Sequence, residues 1–214
     1  MDRPPTLSST FEALLRRPGQ VVHELSAGRT PVLLCLLLIA MVCFTVFGLL
    51  LGLFSGGMQL WAAPTKVGLG TLASILICLP SFYIFACLGG ATIRLSTAAG
   101  LLLAMLALTG LLLVAFGPVL WLFTQGTDAP GFMGFLALGF WLLALLAGLR
   151  LIFCAAPHFG LTSRGSLIVW MGVFILVTLQ MSTALRPIIG SSGHFWPAGK
   201  KFFLEHWVDS AAKP

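Results

Sequence analysis

The sequence predicts an all-α integral membrane protein, a five-transmembrane-helix bundle with amphipathic interfacial helices at both ends. Of its 214 residues, 58% are hydrophobic and 8% are charged, whereas soluble domains carry about 25% charged residues. Five apolar segments each approach or exceed the roughly 20 residues that cross the hydrocarbon of a bilayer. The connections between them are short, so sequential helices are expected to be antiparallel neighbours. Lipid is therefore the expected solvent for most of the chain.

Residues 1–31 are predicted to form a cytoplasmic amphipathic leader. Ser9 and Glu12 have the spacing of a capping box that begins a helix. Pro18 ends this helix and is tolerated in the first turn of another. We expect two short helices on the membrane surface, with arginine side chains near lipid headgroups. These arginines are Arg16, Arg17 and Arg29.

Residues 32–183 are predicted to form the transmembrane domain. The five apolar segments are Val32–Leu53, Val67–Leu88, Ala98–Phe123, Gly131–Phe153 and Ser166–Thr183. Pro80 and Pro118 interrupt the second and third segments and are expected to kink them. Residues 184–214 are predicted to be a non-cytoplasmic tail with its own interfacial helix, because residues 202–208 place several apolar side chains on one face.

The distribution of basic residues predicts a cytoplasmic N-terminus and an outside C-terminus. With that threading, the cytoplasmic side before the tail holds Arg3, Arg16, Arg17, Arg29, Arg94, Arg150 and Arg164, and the opposite loops hold Lys66. Lysine and arginine accumulate in cytoplasmic segments of membrane proteins. The net charge of +6 is therefore interpreted as a topology signal and not as a nucleic-acid surface. We expect a multi-pass protein of the bacterial inner (cytoplasmic) membrane.

Three glycines mark a predicted helix-packing interface. Gly48, Gly52 and Gly56 recur every four residues and so share one face of a helix. This spacing lets a second transmembrane helix approach backbone to backbone. The sequence leaves open whether that second helix belongs to this chain or to a partner.

A second candidate site is an outer polar cluster. Gln59 and Lys66 flank the predicted outer loop Phe54–Lys66, and Gln180 and Arg186 end the fifth span on the same side. These four residues either line a shared outer vestibule or serve as headgroup contacts and helix caps.

Catalytic, cofactor and metal residues are not predicted. The five apolar segments contain no Asp, Glu, Lys or His, although such residues mark proton relays and transport pathways in membranes. The four histidines lie outside these segments and are not clustered, and the five cysteines lack zinc or redox spacing. We therefore expect no enzyme activity and no cofactor.

The leader Phe11–Leu25, the five spans and the Pro80–Ile84 stretch resemble small bacterial Yip1-domain membrane proteins. The resemblance implies a non-enzymatic role in membrane organisation or in binding protein partners. We accordingly expect a scaffold or accessory subunit that binds other integral membrane proteins or further copies of itself, as well as lipid headgroups. The alternative is a membrane component of a transporter or channel. A water-filled cavity lined by Ser74, Ser81, Tyr83 and Thr109 would favour that alternative.

Overall fold

The computed structural model describes residues 6–127 and 129–184. This part of the chain is helical and contains no strand. Its α-helices are α1 Leu7–Arg16, α2 Pro18–Ser26, α3 Thr30–Ser55, α4 Gln59–Leu88, α5 Leu95–Gly126, α6 Pro130–Ala155 and α7 Arg164–Ala184, with a 3₁₀ turn at Ala156–Phe159.

The five long helices, α3 to α7, are long and apolar enough to cross a membrane. The shortest of them has 21 residues, which at ~1.5 Å per residue gives roughly 32 Å. For the described residues, the prediction of an all-helical fold with five helices suited to span a membrane is confirmed. Pro80 and Pro118 lie inside continuous helices, and both residues are exposed.

The helices run alternately between two ends of the bundle. At the leader end, Leu25 of α2 packs against Gly100 near the start of α5. Two other loops meet at this end, since the Thr162 amide donates a 3.0 Å hydrogen bond to the Gly89 carbonyl. At the far end, Phe123 of α5 contacts Phe132 of α6, with ring centroids 5.6 Å apart. Each end therefore gathers the loops that the predicted topology assigns to one side.

The core lies around α3 and α5. These two helices pack against each other, α4 adds to α3, α6 adds to α5, and α7 adds to α4. In the apolar window of α5, 56% of the residues are buried, whereas the corresponding value for α7 is 22%. Fully buried side chains of the core include Phe44, Leu102, Met105, Leu113 and Leu120.

The second long helix differs from the prediction at its beginning. Phe54–Lys66 was expected to be a loop, but α3 extends to Ser55 and α4 begins at Gln59. The actual turn is Gly56–Met58, where Gly56 and Gly57 have φ values of 66° and 54°, a backbone conformation that glycine adopts without strain. Pro64 suggested a loop, yet the helix continues through it because Ala62, Ala63 and Pro64 are buried.

The leader forms two helices that pack on the bundle. The capping box was expected at Ser9 and Glu12, but the helix begins one turn earlier, at Leu7. The Thr6 hydroxyl accepts a hydrogen bond from the Ser9 amide, and the Thr6 amide donates to the Ser9 hydroxyl. Pro18 begins α2, as expected. The predicted tail helix after Ala184 lies outside the described residues.

Candidate functional site

Gly48 lies where α3 and α4 come closest. A Cβ atom added at Gly48 would stand 2.5 Å from the Pro64 Cα and 3.1 Å from the Ala63 carbonyl oxygen. Real Cβ atoms essentially never come this close to a backbone atom, so this contact requires glycine. The helix that Gly48 contacts belongs to this same chain.

The other two predicted glycines have different surroundings. Gly52 is a buried residue of α3, one turn after Gly48. Gly56 lies just after the helix, is exposed, and has no atom within 4 Å of an added Cβ. Its φ of 66° identifies it as the residue that ends α3. Gly48 and Gly52 therefore share a buried helix face, and Gly56 is not part of it.

Lys66 lies inside a long apolar helix and not in a loop. It is the eighth residue of α4 and only 3% exposed. The expectation that the spans contain no lysine is therefore wrong, because α4 starts earlier than the apolar run that begins at Val67. An ionisable residue inside an apolar span is expensive to bury and commonly functional.

The rest of the outer polar cluster is described only in part. Gln180 is half-buried near the end of α7. Since Ser81 of α4 bonds to Trp170 of α7 and the two helices are antiparallel, Gln180 lies within about 8 Å of the level of Lys66 along the helix axis. The main chain of Gln59 begins α4 at the same end. Arg186 lies outside the described residues.

The interface between α4 and α7, here called the seam, is built on aromatic side chains. The Trp170 indole N–H donates to the Ser81 hydroxyl at 3.2 Å. The Trp170 ring also lies 4.6 Å from Phe82 and 5.3 Å from Phe174, centroid to centroid. Trp170 is fully buried. The sequence does not predict this contact, because Trp170 and Ser81 are 89 positions apart.

Two loops are hydrogen-bonded to each other at the leader end. The Gly89 carbonyl accepts from the Thr162 and Ser163 amides and from the Thr162 hydroxyl. A Cβ at Gly89 would meet the Ser166 hydroxyl oxygen at 2.6 Å. Beside these loops lies a small cavity of about 20 Å³ with an apolar lining that includes Ala86, Ala91 and Leu161. The sequence does not predict this contact between the loop at Gly89 and the loop before α7, because the two loops are far apart in the chain.

Hydroxyl groups in the long helices are bonded to their own helices. The Ser74 hydroxyl donates to the Gly70 carbonyl, and the Thr109 hydroxyl donates to the Met105 carbonyl, both at 2.9 Å. Both side chains are buried. Such bonds satisfy a polar side chain in an apolar environment without water.

Within residues 6–127 and 129–184, no group of three or more His, Cys, Asp or Glu side chains is arranged to hold a metal ion.

One side of α7 faces away from the seam. Leu167, Trp170, Phe174 and Thr178 are buried toward α4. The free face of α7, as we call it, consists of the exposed residues Gly165, Ile168, Val169, Gly172, Val173 and Leu176. A Cβ added at Gly172 would have no atom within 4 Å. The free face thus combines apolar side chains with an open backbone position.

The chain matches no protein-family model, no curated protein and no solved structure. The resemblance to Yip1-domain proteins stays a prediction. The features of the molecule that bear on its function are therefore the seam, the buried Lys66 and the free face of α7.

Proposed function

We propose that the chain is a multi-pass protein of the bacterial inner membrane, with its N-terminus in the cytoplasm. The support is the charge at the leader end, where arginines lie in the leader, before α5, at the end of α6 and at the start of α7. These are Arg16, Arg17, Arg29, Arg94, Arg150 and Arg164. Among the described residues, Lys66 is the basic residue that lies toward the far end. This asymmetry is the one that orients membrane proteins.

Within that membrane, the chain acts as a non-enzymatic scaffold or accessory subunit that binds a transmembrane helix of another integral membrane protein. The observation that carries this proposal is the free face of α7. This helix is held by α4 along one side, and only 22% of its apolar window is buried. A spanning helix at the edge of a bundle has room for a partner along its other side.

The composition of the free face favours a protein partner over lipid alone. Gly165 and Gly172 lie two turns apart on it, and Gly172 has open space in front of its backbone. Glycine has a low helix propensity, but it lets the backbones of two transmembrane helices come together. The pair of glycines distinguishes this face from α6, where the exposed Gly139 has no second glycine four or seven residues away.

The substitution Gly172→Leu tests the scaffold proposal without disturbing the bundle. Because nothing lies within 4 Å of an added Cβ, the variant is expected to fold like the wild type. We expect the partner to be lost when the tagged variant is purified in mild detergent and co-purified proteins are quantified by mass spectrometry. The matched control is Gly139→Leu on α6, where nothing lies within 4 Å either. Equal recovery of the partner with both variants would contradict the proposal.

Lys66 favours a second candidate function, a membrane component of a transporter. The buried lysine is a default marker of a transport pathway, although the hydroxyls of Ser74 and Thr109 are bonded to their own helices. Proteoliposomes loaded with a pH-sensitive dye distinguish the two functions. A transporter that uses Lys66 shows proton flux above that of empty vesicles, and Lys66→Gln abolishes this flux. Flux equal to that of empty vesicles removes proton transport as the function.

A further inference from the structure

The helix α1 has three differently composed sides. Thr10 and Leu14 are buried against the bundle, where α1 packs on α3 and α5. Leu7, Phe11 and Leu15 are 43–49% exposed and follow one another every four residues, so they form a single apolar stripe.

The remaining side of α1 is polar. Glu12 and Arg16 form an exposed ion pair with 3.7 Å between the Arg16 Nε and a Glu12 carboxylate oxygen. Ser8 and Ser9 are exposed as well. At about 100° per residue, the apolar stripe is centred ~80° from the buried side, and the polar side is centred roughly 115° beyond the stripe.

This order of sides fits a helix that lies parallel to the membrane plane and beside the bundle. In that position the bundle covers the side of Thr10 and Leu14. Lipid covers the apolar stripe, at about a right angle to the buried side, and the polar side faces the cytoplasm. A helix placed beneath the bundle would have its apolar residues on one common side. The helices that support α1 also expose apolar residues near the same end, Leu34 in α3 and Leu95 in α5.

The helix α2 has a different arrangement. Its apolar residues Val21, Val22 and Leu25 are all buried, and it packs on α3, α5 and α6. Its exposed residues are Pro18, Gly19, Gln20, His23 and Ser26. The expectation that both leader helices lie on lipid therefore fits α1 alone, and α2 fastens α1 to the bundle.

We propose that the stripe of Leu7, Phe11 and Leu15 inserts into the headgroup and acyl boundary of an anionic phospholipid leaflet. Phe and Leu are the apolar residues typical of helices that lie in this boundary. The charge of the lipid is inferred from Arg16 and Arg17, which are both exposed at the C-terminal end of α1. Basic side chains next to a membrane surface attract anionic lipids. This lipid-binding surface is separate from the free face of α7.

Photo-crosslinking of the full chain in lipid nanodiscs tests this proposal. The photoreactive residue p-benzoylphenylalanine replaces Phe11 in one variant and Glu12 in a matched control. Both positions are exposed, so both variants are expected to fold, and size-exclusion profiles check this. In nanodiscs of phosphatidylglycerol and phosphatidylethanolamine, we expect mass spectrometry to find a phospholipid adduct at position 11 and none at position 12. Equal adducts at both positions, or an adduct of position 11 with protein, would overturn the proposal.

The lipid charge is tested by the same variant in phosphatidylcholine nanodiscs. We expect the adduct at position 11 to decrease when the anionic lipid is absent. Replacement of the two arginines, Arg16→Gln with Arg17→Gln, is expected to abolish the difference between the two lipid compositions. An adduct that is the same in both compositions with the arginines present contradicts the assignment to anionic lipid.

Discussion

At the scale of single residues, glycine at position 48 determines how closely α3 and α4 approach. The Cβ of any other residue would lie 2.5 Å from the Pro64 Cα. The neighbour is backbone within a helix, so it cannot move aside as the end of a side chain can. Close packing of this kind compensates for the helix-breaking tendency of Pro64.

Gly48→Ala is therefore expected to destabilise the protein by about 1–3 kcal/mol, the usual cost of overpacking. The matched control is Gly68→Ala in α4, where an added Cβ meets the Met41 methyl carbon at an ordinary 3.6 Å. Thermal unfolding in detergent measures both variants. A Gly48→Ala protein as stable as the Gly68→Ala protein would show that the two helices are less closely packed than described.

At the scale of elements, the attachment of α7 depends on the seam. Trp170 fills this interface and uses its indole N–H on the Ser81 hydroxyl, and it contacts Phe82 and Phe174. The Ser81 hydroxyl itself donates to the Cys78 carbonyl. One small polar side chain thus satisfies the indole inside an apolar interface.

Ser81→Ala is expected to cost about 1–3 kcal/mol, because it leaves a buried indole N–H without its acceptor. Ser74→Ala is the control on the same helix, since the bond of its hydroxyl is to its own Gly70 carbonyl, and a smaller loss is expected there. Thermal unfolding and Trp fluorescence in detergent report the effect. Equal losses in both variants would indicate that the hydrogen bond to Trp170 contributes little.

The five long helices were predictable from the sequence because uninterrupted apolar runs carry a strong signal. The beginning of α4 was not, because Pro64 and Lys66 have the local character of a loop. They are helical because Ala62, Ala63 and Pro64 pack in the bundle, and that contact depends on Gly48, which lies more than ten residues away in the sequence. The seam was missed for the same reason, since Trp170 and Ser81 are 89 positions apart.

At the scale of the whole molecule, the chain has a filled centre and open edges. The helices α3 and α5 are the most buried of the five long helices, whereas α7 is held along one side. Glycines of two kinds follow this division. Gly48 and Gly148 lie against neighbouring helices, and Gly139 and Gly172 face open space. The glycine pattern by itself does not distinguish these kinds, because the distinction depends on which helix lies opposite.

The proposed orientation predicts which loops are reachable from outside the cell. Single cysteines at Met58 and His158, in a background without the five native cysteines, place a thiol at the far end and at the leader end. Both positions are exposed. An impermeant maleimide is expected to label position 58 in intact spheroplasts and position 158 only after permeabilisation. The reverse order of labelling would mean that the N-terminus lies outside.

The free face of α7 is proposed to bind a helix of another membrane protein. Photo-crosslinking in native membranes tests this binding. The residue p-benzoylphenylalanine replaces Val169 on the free face, and in the control variant it replaces Ile77, an exposed residue of α4. We expect a discrete protein adduct of higher mass from position 169 and none from position 77. Adducts of position 169 with lipid alone would contradict the binding of a protein helix at the free face.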